Sequence, residues 1–238
     1  MPLFSGCPKY GDFAHYFYQE DKFNGKFHYL MKEPIYEGVG NHDNGSYGEV
    51  KNRNESYEGR RWMNAHKGPN YSWDWCGVRF FQLNAWPGNG KSHPDEDNKT
   101  CKNGCRINLN SFDSLDFLNS QLGDLQRKKI PYVVCFHVGF KNDSTGYNNS
   151  NWGECDKGVF YDVVKKYPPI YIFHGHIHTT GAETWKPKNA ANDSPLLKSH
   201  YTAICNSSYT KVIKVTIHSK FVSNKEWDKV LQIEHITL

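Results

Sequence analysis

The chain has 238 residues, and its 29 Lys and Arg residues against 25 Asp and Glu residues give a formal net charge of +4. That balance indicates no nucleic-acid-binding surface, and no apolar stretch is long enough to span a bilayer. Aromatic residues make up 15% of the chain, which is typical of a protein with a packed core and not of a disordered one. The length suits one domain over residues 1–238, or two small ones at most.

The periodicity of the apolar residues predicts a layered α/β domain. In chain order it predicts a helix at 13–23, a strand at 31–38, a helix at 47–62, strands at 71–75 and 78–85, a helix at 111–125, a strand at 131–138, a helix at 155–167, and strands at 169–173, 201–205, 210–218 and 221–236. Strands alternate with helices and are then followed by hairpins, as in a layered α/β fold. The run at 131–138 is apolar throughout, which predicts a buried strand with Cys135 as an inert buried thiol.

Histidines stand where these predicted strands end. They lie in three short motifs: Gly-Asn-His-Asp at residues 40–43, His137 at the end of a strand, and Gly-His-Ile-His at residues 175–178. Open α/β sheets place their sites at this edge. His176 and His178 are two residues apart, so on an extended segment their rings point the same way, which suits metal ligands. A dinucleotide-binding loop is excluded, because Asp43 stands where its third glycine is needed.

The three motifs in this order, each after an apolar strand, resemble those of the calcineurin-like metallophosphoesterase family. The resemblance extends from about Glu33 to the end of the chain. It implies an α/β fold of four layers (αββα), a double β-sandwich flanked by helices, here lacking its first β-α-β segment. It also implies that the chain is a phosphoric ester hydrolase.

The resemblance implies a site for two transition-metal ions, Zn, Fe or Mn. Asn41, His137 and His176 would bind one ion and His178 the other. His42 would stabilise the transition state or protonate the leaving group, and Asp43 would orient His42. A hydroxide bridging the two ions would attack the phosphorus atom of a small phosphoester substrate.

Two family motifs, D-x-H and GDxxD, are absent from this sequence. They supply most ligands of one metal, so the chain is expected to start after the second of them in a longer precursor. Asp12, in the only Gly-Asp pair ahead of the Asn-His-Asp motif, is either a replacement ligand or a surface aspartate. The alternative function is a non-catalytic binding module of the same fold. A zinc-dependent hydrolase of another bond is disfavoured, because no HExxH motif occurs.

Seven cysteines and eight Asn-x-Ser/Thr sequons favour a secreted glycoprotein, and an asparagine-rich composition is the alternative explanation of the sequons. The sequons begin at Asn44, Asn54, Asn70, Asn98, Asn142, Asn148, Asn192 and Asn206. No signal peptide is recognisable, so one is expected upstream of Met1. Cys101 and Cys105 favour a local disulfide over a zinc site. His174, Trp73, Trp75 and Trp86 are expected to be structural, and Arg60 and Arg61 to be solvated.

Overall fold

A computed structural model describes residues 2–3, 36–37, 70–83, 87–88, 114–140, 152, 154–176, 180–201 and 211–237. The strands are β1 (Pro2–Leu3), β2 (Tyr36–Glu37), β3 (Tyr71–Trp75), β4 (Val78–Gln82), β5 (Tyr132–Val138), β6 (Tyr171–Gly175), β7 (Gly181–Trp185), β8 (Leu197–Tyr201), β9 (Lys211–Ile217) and β10 (Leu231–Thr237). The helices are α1 (Ser114–Lys128), α2 (Glu154–Val164), α3 (Ser219–Asn224) and α4 (Trp227–Val230).

Six strands form a mixed sheet in the order β3-β4-β5-β6-β8-β7. The four central strands β4, β5, β6 and β8 are parallel, while the outer strands β3 and β7 each pair antiparallel with their neighbour. Helix α1 connects β4 to β5, and α2 connects β5 to β6, as parallel neighbours require. The carboxyl ends of the four parallel strands therefore meet at one edge of the sheet.

Helices α1 and α2 cover one face of this sheet. In α1, leucines recur at helical spacing and are all buried, namely Leu115, Leu118, Leu122 and Leu125. The helix also has Asp116 in its first turn and Arg127 and Lys128 in its last, which suits its dipole. It ends before Lys129, whose φ of 56° is left-handed. The leucines pack against Tyr132, Val134, Phe136 and Val138 of β5 and the aromatic side chains of α2.

The β9–β10 hairpin and the two short helices α3 and α4 cover the opposite face. Val133 and Cys135 of β5 and Phe173 of β6 form an apolar cluster there with Val230 and Leu231. β9 and β10 pair antiparallel, from Leu231 opposite Ile217 to Thr237 opposite Lys211. The described residues therefore form a mixed α/β structure in which helices, a six-stranded sheet and a hairpin are stacked as layers.

A two-residue turn joins β3 to β4. Cys76 and Gly77 both have positive φ, 50° and 80°, as a turn matching the twist of an antiparallel hairpin requires. Trp73 of β3 is buried and stacks on Phe80 of β4, with ring centroids 5.2 Å apart, so its predicted structural role is confirmed. Trp75 is 46% exposed and lies outside that core.

Most predicted elements within the described residues are confirmed, with shifted ends. The strand at 131–138 is β5, buried at all seven positions, and the helix at 111–125 is α1, starting three residues later. The strand at 169–173 is β6, which starts at Tyr171 and continues through His174 to Gly175. The helix at 155–167 is α2, which ends at Val164.

The carboxyl-terminal predictions contain the errors. The strand predicted at 221–236 is wrong in its first part, because α3 and α4 precede β10. Phe221, Val222 and Trp227 pack together against the hairpin side of the sheet, so tertiary packing decided their structure. Strands β7 and β8 were not predicted, and Tyr201 ends β8 where a strand was expected to begin. The predictions at 13–23 and 47–62 lie outside the described residues, as does all of 31–38 except β2 itself.

Candidate metal centre

Two of the predicted ligands lie together at the carboxyl edge of the sheet. His137 is the next-to-last residue of β5, and His176 directly follows β6, its parallel neighbour. Nε2 of His137 and Nδ1 of His176 are 3.2 Å apart. The ring centroids are 5.1 Å apart, and the ring planes meet at 77°. Thirty-nine residues separate the two histidines in sequence, so the parallel pairing of β5 and β6 brings them together.

The backbone is irregular at both histidines. Cys135 pairs with Phe173 and Val138 with Gly175, so β5 has one more residue than β6 over this interval, and His137 lies within it. His176 has a φ of 66°, in the left-handed region that a residue with a Cβ enters at a cost of about 1–2 kcal/mol. Bulges and such strained residues recur beside functional sites.

The extended backbone on which the argument about ring direction depends is therefore not present at His176. A strand would continue past Gly175 with alternating side chains, but the left-handed residue turns the chain at the sheet edge. The direction of the His176 ring follows from this turn and not from strand alternation. The argument that His176 and His178 point the same way consequently does not hold for His176.

The two facing nitrogens have a separation that suits a shared metal ion. His137 is only 3% exposed, so two charged rings here would face a high desolvation cost. In the hydrogen bond one nitrogen donates and the other accepts. Two nitrogens bound at about 2.0–2.1 Å to one zinc ion in a tetrahedral arrangement are about 3.3 Å apart. The 3.2 Å separation fits this value, so the two residues can act as neighbouring ligands.

A third histidine, His174, lies inside β6 and is fully buried, as expected of a structural residue. Its Nε2 is 3.2 Å from Oε1 of Glu183 on β7, and its Nδ1 is 3.3 Å from the carbonyl oxygen of Gly175. The imidazole lies between two aromatic rings: Phe136 at 6.2 Å and 13°, and Tyr201 at 5.2 Å and 24°. His174 thus connects β6 to β5, β7 and β8.

The chain leaving β5 passes against the face of the His174 ring at Gly139. A Cβ at this position would come within 2.1 Å of Cε1 and 2.3 Å of Nδ1 of His174. Only a residue without a side chain allows this approach. Gly139 therefore keeps the segment after His137 close to the segment before His176.

Sequence reasoning missed both Glu183 and Gly139. In β7, Glu183 lies on the same face as Gly181 and Trp185, and Trp185 stacks on Phe140 at 4.6 Å, but this face is recognisable only once the strand is known. A carboxylate on the apolar face of a strand is rare unless it has a partner. Gly139 carried no sequence signal, because its need arises from a ring distant in sequence.

The remaining predicted site residues lie outside the described part of the chain. These are Asn41, His42, Asp43 and His178, and also Asp12, Arg60, Arg61, Trp86, Cys101 and Cys105. Within the described part, no group of three or more His, Cys, Asp or Glu side chains forms a cluster that could hold a metal ion. The described part of the site is therefore the pair His137 and His176.

The described cysteines and sequons are placed as follows. Cys135 is buried and free, and burial raises the pKa of its thiol well above the ordinary value, which confirms an inert thiol. Cys76 is free and exposed. Asn192 lies exposed between β7 and β8, whereas Oδ1 of Asn70 accepts a hydrogen bond of 2.7 Å from Ser114. Among the described helices, none has the length and apolarity needed to cross a membrane.

A scan against protein-family models finds no match for this chain, and a search of curated proteins finds none either.

Proposed function

We propose that this protein is a metal-dependent hydrolase of phosphoric esters, whose metal centre includes His137 and His176. The observation that carries the proposal is the meeting of the two imidazoles at the carboxyl edge of the parallel strands, on an irregular backbone. Ligands in open α/β sheets bind at this edge. The proposal also draws on the resemblance of the three motifs to those of the calcineurin-like metallophosphoesterases, whose αββα double sandwich it takes as the complete fold.

The donor set fits transition metals. Imidazole nitrogens suit Zn, Fe and other borderline ions, whereas Mg and Ca prefer oxygen ligands. His137 and His176 would hold one ion together with Asn41, and His178 would hold a second. When bound, such ions supply Lewis-acid polarisation of phosphoryl oxygens and lower the pKa of a bound water.

The protein's own residues would place and protonate the substrate. His137 is buried at the end of β5, so it is shielded from bulk water and fixed in direction. His42, next to Asn41 in the sequence, would donate a proton to the leaving oxygen of a small phosphoester. Asp43 would hold the tautomer of His42 that can do so. We place this protein in the secretory pathway on the basis of its sequons.

The proposal is tested with single substitutions that each remove one imidazole, either from the proposed metal centre or from a second histidine pair that serves as the control. His137→Gln and His176→Gln each delete a proposed ligand. His235→Gln is the matched control, because His235 also faces a histidine, His200, at 3.1 Å. The purified full chain is titrated with Zn²⁺ and with Mn²⁺, and hydrolysis of p-nitrophenyl phosphate and bis-p-nitrophenyl phosphate is measured.

We expect His137→Gln and His176→Gln to weaken metal binding about 100-fold or more, since even the loss of a residue behind a ligand costs about 10–100-fold. Hydrolysis should fall in parallel, and His235→Gln should retain both properties. Metal binding without hydrolysis of either ester would instead favour the non-catalytic binding module. A wild-type chain that binds neither metal would overturn the proposal.

A further inference from the structure

We propose that His174 and Glu183 act as a buried positioning pair, which holds the Gly175–His176 peptide in the orientation that brings Nδ1 of His176 to Nε2 of His137. The effect on metal binding that this inference predicts rests on the proposed function. The effect that it predicts on the contact between the two rings does not. The hydrogen bonds of His174 go to Glu183 and to the Gly175 carbonyl, so both residues would act through the backbone of His176.

The two hydrogen bonds of His174 show how many hydrogens the His174–Glu183 pair must carry. Nδ1 faces the carbonyl oxygen of Gly175, and a carbonyl oxygen only accepts, so this contact requires a hydrogen on Nδ1. Nε2 faces a carboxyl oxygen of Glu183 at 3.2 Å, and that contact requires one more hydrogen. Whichever of the two atoms carries this hydrogen, the pair has no net charge, which suits the complete burial of both side chains.

The hydrogen bond to Gly175 acts on the backbone of His176. The Gly175 carbonyl belongs to the peptide plane that includes the nitrogen and Cα of His176, and φ of His176 is the rotation about the bond between these two atoms. The β6 backbone fixes one end of this plane and the hydrogen bond fixes its tilt, so together they set the orientation from which the left-handed φ of 66° directs the rest of His176. The unusual backbone at His176 thus has a definite support two residues earlier.

The ring that provides this support is itself fixed from several sides. Phe136 and Tyr201 lie on either side of it, and Gly139 approaches it so closely that a Cβ would overlap the ring. Phe136 and Gly139 also flank His137 in sequence. The same ring therefore sets the position of both chain segments that carry the facing imidazoles.

A merely structural His–Glu pair makes a different prediction. Removing one partner of such a pair leaves the other buried and unpaired, which destabilises the fold whichever role the pair has. A positioning pair, in addition, loses its effect on His176 when the hydrogen bonds are lost, whatever happens to stability.

The test compares Glu183→Gln, Glu183→Leu and Leu122→Ala. Glutamine can donate to Nε2 of His174 while Nδ1 continues to donate to Gly175, so Glu183→Gln should retain the positioning. Glu183→Leu removes the partner of His174. Leu122→Ala truncates a buried leucine of α1, which packs in the helix-side core, and serves as a control for general destabilisation.

Two properties are measured on the full chain. The first is the dissociation constant for Zn²⁺. The second, measured by NMR, is the contact between the His137 and His176 rings, together with their ¹⁵N shifts. We expect Glu183→Leu to weaken Zn²⁺ binding about 10–100-fold and to abolish the ring contact. Glu183→Gln should stay close to wild type, as should Leu122→Ala where it is folded.

The inference fails if Glu183→Leu keeps the His137–His176 ring contact, or if Leu122→Ala loses it equally. If Glu183→Leu does not fold, Glu183→Gln carries the test, because losing the ring contact in that folded variant would also overturn the inference. A wild-type chain without Zn²⁺ affinity would overturn the proposed function alone, since the ring contact is measured without metal.

Discussion

Two histidine pairs in this protein have almost the same nitrogen separation and very different surroundings. His137 and His176 are 3.2 Å apart, and His200 and His235 are 3.1 Å apart. The first pair lies within one sheet, at the ends of two parallel strands. The second joins two layers, since His200 belongs to β8 of the large sheet and His235 to β10 of the hairpin.

The two pairs also differ in ring geometry and backbone. The ring planes of the first pair meet at 77°, and His176 has a left-handed φ. His174, which is buried and bonded to Glu183, lies two residues before His176. The second pair has ring planes at 37°, with centroids 5.4 Å apart. Both of its residues lie on regular strands. Distance alone therefore does not distinguish a candidate metal centre from a contact between layers, but the backbone and the supporting residues do.

The largest change in stability is expected for Gly139→Ala, which would displace the His174 ring next to the His137–His176 pair. Its Cβ would lie 2.1 Å from the His174 ring, so the ring or the strand end must move, at a cost of about 1–3 kcal/mol in the free energy of unfolding. Denaturant unfolding measures the cost, and Zn²⁺ affinity should fall with it.

Gly123→Ala is the matched control for that substitution. Gly123 lies exposed in α1, with no atom within 4 Å of an added Cβ, so alanine should stabilise the protein by about 0.5–1 kcal/mol. Equal effects of the two substitutions would show that the approach of Gly139 to His174 is unimportant.

An intermediate effect is expected at the second pair as the pH falls. Burial, with the neighbouring His235 and His174, lowers the pKa of His200 to about 4 from its ordinary 6.5. Between these values the unfolded chain takes up a proton that the folded chain refuses, so stability is full above pH 6.5 and falls as the pH drops towards 4. After a discount for solvent screening of this half-buried group, the loss is about 1–2 kcal/mol.

His200→Gln should remove that part of the pH dependence. The measurement is the difference in unfolding free energy between wild type and variant at about pH 7 and about pH 4. His218→Gln, which alters an exposed histidine bonded to Gln232 on the same hairpin, is the control. A pH dependence unchanged by His200→Gln would mean that this pair does not resist protonation in the folded state.

The smallest effect is expected on the outer face of the hairpin. Lys214 and Glu234 form an exposed cross-strand ion pair at 3.1 Å. Because both charges are solvated, Lys214→Gln should change the unfolding free energy by less than about 0.5 kcal/mol. A larger change would indicate that the hairpin depends on its exposed charges more than on its inward contacts.

The amount that sequence reasoning could predict differs between elements. β5 and α1 were predictable because their apolar residues have clear patterns, continuous in one and at helical spacing in the other. β7 and β8 are short strands with polar residues, and their patterns were too weak to identify. α3 and α4 follow packing against the hairpin side of the sheet, which overrides the local preference of the segment.

The same division applies to the candidate site. The sequence identified His137 and His176 by their positions after apolar strands. Its argument about side-chain direction applied to an extended segment, and the left-handed φ of His176 removes that condition. Glu183 and Gly139 were not found, because their importance comes from one ring, His174, that they meet only in the folded structure.

By itself, the sequence determined the α/β alternation, the buried strands and the placement of His137 and His176 at strand ends, because these depend on local patterns of apolar and polar residues. Only the tertiary structure decided the order of strands, the 3.2 Å approach of His137 to His176 and the buried support from His174 and Glu183. These features depend on residues distant in sequence, and on a close packing that no local pattern encodes.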